Sequence, residues 1–259
     1  MATHFSWRSR VCAAVGCVLV WCTSLDVASA TVVQIGAAKD NSIFQNNPNN
    51  TAGGQTQFYS GTNTGSSPRR GLIEFDIGGK VPAGATITSV DLTLYLSGFG
   101  GSGVGTPTIE LHPLTKEWGE GTVSSGSGQG GPAAAGDATW NAAAFGSTNW
   151  TTAGGDFGVS SASLTIVGTT IGTSYSWLST SALVSDVQGW LNNPTTNHGW
   201  ALINTNESGS QNFRSFSSRE ASSALQPVLT VNYVIPEPST FVLLAIGCGL
   251  LVVRHRRRS

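Results

Sequence analysis

Four arginines, Arg69, Arg70, Arg214 and Arg219, are the side chains best suited to hold an anion. A guanidinium offers paired N–H donors that match a carboxylate, so the set would suit an acidic ligand. Arg69 and Arg70 follow Ser66-Ser67-Pro68 and are expected at the surface, whereas Arg219 is expected to pair structurally with Glu220 or Asp76. Exposed aromatic rings offer flat apolar platforms on which a ligand can stack. Trp118, Trp140, Trp177, Trp190 and Trp200 are candidate platforms, but burial is the ordinary fate of such rings. Trp190 lies on an apolar helical face and Trp200 alternates with Leu202, so both read as core. Trp150, inside the polar run Asn149-Trp150-Thr151-Thr152, is the expected exposed ring.

Asp40 and Asn41, with Asn46, Asn47, Asn49 and Asn50 close by, supply oxygen atoms of the kind that hold a structural Ca²⁺. No twelve-residue EF-hand spacing is present, and an Asn-rich loop also arises because Asn tolerates turn geometry.

Catalytic patterns are absent. The chain has no G-x-S-x-G, no H-E-x-x-H and no phosphate loop, and His112 and His198 stand far apart. Glu117 and Glu120 could flank a glycosidic bond, but twelve acids scattered over residues 31–235 produce such pairs by chance. The expectation is a protein that is not an enzyme. Over the same span, seven basic residues against twelve acidic ones leave a net charge of −5, which argues against a nucleic-acid face.

Such residues must be positioned by short strands. The 259 residues include 33 Gly and only 10% charged residues, against about 7% Gly and about 25% charged in an ordinary soluble protein, which excludes a helical bundle or coiled coil. Ile87 to Leu96 alternates with period two, placing Val90, Leu92, Leu94 and Leu96 on one face. Val32–Ile35, Gln57–Ser60, Gly71–Ile77, Thr108–Leu111, Ser163–Val167, Trp200–Asn204, Phe213–Phe216 and Val228–Val234 read as further strands. Leu183, Val187 and Leu191 recur every four residues and predict one helix from Thr180 to Asn192, ended by Asn193-Pro194. Pro82-Ala83-Gly84-Ala85 is a turn, Gly98 to Gly105 a flexible hairpin connection, and the Gly/Ser-rich run Thr122 to Gly136 a mobile loop. The expectation is all-β: a jelly-roll-like two-sheet β-sandwich, residues 31–235, with one short helix.

The ends carry addresses. Arg8 and Arg10 precede the apolar run Val11 to Trp21, and Val27-Ala28-Ser29-Ala30 presents the small residues that signal peptidase cuts. Residues 1–30 therefore read as a signal peptide, helical in its apolar part, with Thr31 as the mature start. A lipidated cysteine is the alternative, but Trp21 before Cys22 and the short run before Cys17 fit it poorly. At the other end Phe241 to Val253 is apolar and uncharged, and Arg254, Arg256, Arg257 and Arg258 follow. It reads as a short transmembrane helix with its arginines in the cytoplasm. All four cysteines fall in these two segments, so residues 31–235 have no disulfide to hold them.

Pro236-Glu237-Pro238, the apolar helix and the arginine cluster, in that order, resemble the PEP-CTERM sorting signal of Gram-negative bacteria over residues 236–259. The resemblance implies recognition by an exosortase, transient anchoring in the inner membrane, and delivery to the cell surface or matrix in company with exopolysaccharide. A second resemblance rests on Lys39-Asp40-Asn41-Ser42-Ile43, Arg70 to Ile77, Pro82 to Ile87, Glu117-Trp118-Gly119-Glu120-Gly121-Thr122, Asp186 to Trp190, and Phe216 to Glu220 with Pro227 to Val231. In that order they are similar to the DNRLRE family, a disaggregatase-related jelly-roll module akin to carbohydrate-binding module family 96. The chain departs from that pattern at the Gly/Ser insertion before Thr139-Trp140. The resemblance implies non-catalytic binding of extracellular polysaccharide, with Arg69, Arg70, Arg214, Arg219 and Trp150 as the candidate contacts and an acidic polysaccharide as the polymer the arginines would suit. The alternatives are a structural or adhesive matrix protein and, more remotely, a polysaccharide-degrading enzyme.

Overall fold

The computed structural model describes residues 30–101, 105–125 and 128–236. Its strands are β1 (Ala30–Phe44), β2 (Asn50–Thr51), β3 (Gln57–Thr62), β4 (Pro68–Phe75), β5 (Thr86–Phe99), β6 (Thr108–Pro113), β7 (Gly131–Pro132), β8 (Ala142–Ala144), β9 (Thr148–Asn149), β10 (Ala162–Thr165), β11 (Ser174–Trp177), β12 (Trp200–Asn204), β13 (Arg214–Ser217) and β14 (Val228–Val234). One α-helix, α1 (Ser181–Asn192), lies between β11 and β12. The all-β class therefore stands. The signal helix and the membrane helix expected at the ends, with Ala28, Glu237 and Pro238, lie outside the described residues. Among the described residues no helix is long and apolar enough to cross a membrane.

Six antiparallel strands close on themselves in the order β1, β14, β5, β13, β3, β4 and back to β1. Closure is possible because β1 changes partner part-way: Ala30–Gly36 pair with β14, and after an irregularity between Ala37 and Lys39 the rest pairs with β4. From β4 the sheet continues through β12 and β6 to β10, and β11 adds to β5. The Gly98–Gly105 segment is not a hairpin connection. Its two flanking strands, β5 and β6, have no partner in common: β5 pairs with β11, β13 and β14, and β6 with β10 and β12.

Alternation decides what each strand buries. In β5, Ile87, Val90, Leu92, Leu94 and Leu96 point into the ring, while Asp91, Thr93 and Tyr95 are half-buried outside it. In β12, Trp200 and Leu202 join that inner core, whereas Ala201 and Ile203 face the other way. There they meet a second core, built from Ile43 and Leu72 of the sheet and from Leu114, Trp118, Ala138, Trp140, Ala143 and Trp150. The described residues between 114 and 157 thus wrap the outer face of the sheet. Buried indole N–H groups need acceptors. Trp118 donates to the His198 carbonyl at 2.9 Å, Trp150 to the Thr139 carbonyl at 2.8 Å, and Trp177 to the Ile109 carbonyl at 2.9 Å.

Helix α1 forms where its periodicity predicts. The Thr180 hydroxyl caps it by accepting the Leu183 N–H at 3.0 Å, and Leu183, Val187, Trp190 and Leu191 are buried. Trp190 meets Trp200 edge to face, with ring centroids 4.5 Å apart. The Gly/Ser-rich run is no free loop where described. The Gly54 N–H donates to the Val123 carbonyl, the Ala133 N–H to the Asn49 carbonyl, and β2 pairs with β7. Glycine permits this approach: a Cβ on Gly53 would lie 1.9 Å from the Glu120 carbonyl oxygen.

Candidate functional site

The irregularity in β1 sets Lys39 and Asp40 beside the wrapping segment, and two charged clusters form there. Lys39 Nζ lies 2.5 Å from Glu117 Oε1 and 3.0 Å from Glu74 Oε2, and 4.6 Å from the centre of the Trp118 ring. Glu117 Oε2 meets His198 Nδ1 at 3.0 Å. Burial alone would raise the Glu117 carboxyl, but hydrogen bonds from Lys39 and His198 outweigh it and hold it below the usual range. At Glu74 burial prevails and the carboxyl is raised.

The second cluster centres on Arg219. Its Nε and Nη2 donate to Glu120 Oε1 and Oε2 at 2.5 and 2.8 Å, and Nε lies 3.0 Å from Glu220 Oε1. Its backbone N–H donates to Asp40 Oδ2 at 2.7 Å, while the Asp40 N–H donates to Glu120 Oε1 at 2.9 Å. Glu220 therefore pairs with Arg219 as expected; Asp76 instead accepts the Gly79 N–H, and the principal partner is Glu120. Burial pushes Asp40 well above the usual carboxylate range and raises Glu220 as well.

Asp40, Glu120 and Glu220 place carboxylate oxygens within 4.8 Å of one another, a donor set that fits a hard cation. In this arrangement Arg219 supplies the positive charge, since its guanidinium takes both Glu120 oxygens. Asn41 is no part of such a set. Its Oδ1 accepts the N–H groups of Ser42 and Ala52 at 2.7 and 2.8 Å, and its Nδ2 donates to the Ala138 carbonyl at 3.2 Å. Of the neighbouring asparagines, Asn47 and Asn50 donate to Gln129, tying the Asn-rich turn to the Gly/Ser-rich run.

The arginines expected at the surface are held inside. Arg69 is only 5% exposed, with its guanidinium 5.6–5.8 Å from the centres of Phe44, Tyr59 and Phe213, and its Nε has no hydrogen-bond partner among the described residues. Burial lowers its pKa. Arg70 points to the opposite side of β4, as alternation requires. There it makes a two-pronged contact with Glu207 at 2.8 and 2.6 Å and lies over Trp140 and Phe157. Arg214 is 1% exposed and donates to the carbonyls of Phe213 and Gly105. Trp150, expected as an exposed ring, is 5% exposed; its neighbours Asn149 and Thr151 face solvent, and the ring turns into the second core.

An open groove lies on the wrap above Arg70. Thr115, Lys116, Thr151, Thr152, Gly155, Asp156 and Phe157 line a groove of about 660 Å³. Lys116 Nζ lies 2.6 Å from Asp156 Oδ2 and donates to the Asn149 carbonyl at 3.1 Å. Partial burial would raise Asp156, but Lys116 and the N–H groups of Thr151 and Thr152 outweigh it and hold the carboxyl down to about 2. Phe157 is half-buried, edge to face with His112. Sequence reasoning missed Lys116, Asp156 and Phe157; the one available signal was polar residues bracketing an aromatic.

The other end of the body meets the sorting segment. Ala30 pairs with Val234 and Thr31 with Tyr233, so the expected mature start and the approach to Pro236 run side by side. Residues 234–258 match the PEP-CTERM protein-sorting motif. The motif implies handling by an exosortase, a membrane protein, and supports export to the cell surface or beyond. No curated protein matches the chain.

Proposed function

We propose that the chain is an exported, exosortase-sorted protein of the cell surface or extracellular matrix whose β body binds polysaccharide without cleaving it. The jelly-roll-like reading of the ring and the likeness to the DNRLRE and carbohydrate-binding modules belong to this proposal. So do signal-peptidase cleavage before Thr31, transient anchoring by the C-terminal helix, and a Gram-negative-type host. The observation that carries it is the groove, where an aromatic edge, three threonine hydroxyls and a Lys–Asp pair meet solvent together. That combination suits sugar hydroxyls and C–H faces.

Glu117 and Glu120, the acid pair a hydrolase would need, each hold a basic side chain of the framework, Lys39 and Arg219. This supports binding over bond cleavage. A second reading, a structural or adhesive matrix protein, draws on the burial of Arg69, Arg214 and Trp150. A glycan array probed with the processed protein separates the two. Retention that is lost in Lys116→Ala and Thr152→Ala, with melting temperature preserved, supports binding at the groove; no retention on any glycan leaves the structural reading.

A further inference from the structure

Positive charge in this body is almost entirely engaged. Arg70 is matched by Glu207, Arg219 by Glu120 and Glu220, Lys39 by Glu74 and Glu117, and Lys116 by Asp156. Arg69 and Arg214 are buried. Lys80 alone among the described bases is exposed and forms no ion pair with a described residue. Acid is left over. Asp76, Asp91 and Asp137 accept backbone N–H groups from Gly79, Ser179 and Ala134 and have no basic partner among the described residues. The body from 31 to 235 carries net −5.

Resting on the proposal that the groove binds polysaccharide, we infer that its ligand is a neutral, hydroxyl-rich polymer and not a uronate or sulfate polymer. A polyanion would meet no unpaired guanidinium in the groove and would approach a surface of its own sign. A neutral sugar has no such penalty. Asp156 Oδ1 accepts the Thr152 N–H at 3.0 Å, and a carboxylate oxygen carries a second lone pair of the kind a sugar O–H can use. Lys116 Nζ donates to Asp156, the Asn149 carbonyl and the Thr151 hydroxyl, the Thr115 hydroxyl donates to the Asp156 carbonyl and can still accept, and the Thr152 hydroxyl can both give and accept. Phe157 supplies the apolar edge.

Dextran and dextran sulfate share a backbone and differ in charge, which makes them suitable probes beside amylopectin and alginate. With the processed protein, the expected result is retention by at least one neutral polymer and by neither acidic one. The neutral affinity should change by less than about twofold between 50 and 500 mM NaCl. Salt-sensitive binding to dextran sulfate or alginate alone overturns the inference and leaves the groove as a binding site. No binding to any polymer overturns the groove reading itself. Asp156→Asn adds a second readout by leaving Lys116 without its anion. It should acquire dextran sulfate binding at 50 mM NaCl that disappears at 500 mM, and a folded variant with no such gain overturns the charge argument.

Discussion

The two faces of the β1–β4–β12–β6 sheet are buried in different ways. Inside the ring the contacts are apolar: Val90, Leu92, Leu94, Phe75, Trp200 and the face of α1. Outside, the wrap covers the sheet with three tryptophans, Trp118, Trp140 and Trp150, and is fastened at its border by Lys39 to Glu117, by Arg219 to Glu120 and by Arg70 to the Gly154 carbonyl. The difference teaches that the ring is held by strand pairing and apolar burial, and the wrap by burial plus specific charge pairs. The wrap also carries the open polar groove beside Lys116 and Asp156.

The sharpest way to break this comparison is to cut one large ring from each core. Trp200→Ala should cost about 4 kcal/mol and Trp150→Ala about 3 kcal/mol. Hydrogen exchange distinguishes them: the first should lower protection throughout, the second mainly over residues 114–157, with β5 and β14 still protected. Uniform loss in both variants would mean that the two cores are one cooperative unit. Next comes Arg219→Ala, which leaves Asp40, Glu120 and Glu220 without their cation. Because the Arg219 side chain is 41% exposed, the cost is about 2 kcal/mol rather than the larger value of a fully buried pair. Millimolar Ca²⁺ should restore part of the melting temperature in this variant and little in the parent.

Smaller effects appear in the pH dependence. Burial raises Asp40, Glu74 and Glu220, so the folded form keeps their protons longer than the unfolded chain. Their contribution to stability falls as pH rises above about 4, through their folded values. Asp156 runs oppositely: its contribution is present above about 4 and is lost as pH falls toward about 2. Asp40→Asn should flatten the decline on the alkaline side, and Asp156→Asn the loss on the acid side, both read by melting against pH. The smallest effect is Lys80→Ala, within about 0.5 kcal/mol, since no described partner depends on it.

Much of the ring was legible. Period two placed β5, β12 and β14 within a few residues, period four placed α1, and the core positions of Trp190 and Trp200 followed from their neighbours. The turn at Pro82 is present, with the Ala85 N–H donating to the Pro82 carbonyl at 3.1 Å. The site was far less legible. Polar neighbours made Trp150 look exposed, yet in an extended segment adjacent side chains point opposite ways, so Asn149 and Thr151 say little about the ring between them. Arg69 and Arg70 looked alike, and the same alternation sent one into an aromatic cage and the other to Glu207, 137 residues away.

The sequence by itself determined the sorting segment, the β character, the one helix and the shortage of positive charge, because these depend on composition and on patterns among near neighbours. Tertiary structure alone decided which acid holds which base, which tryptophans are covered, and that Lys116, Asp156 and Phe157 share an open groove. Those outcomes depend on how β1 changes partner and on where residues 114–157 lie across the sheet, and contacts between residues about a hundred positions apart leave no local pattern to read.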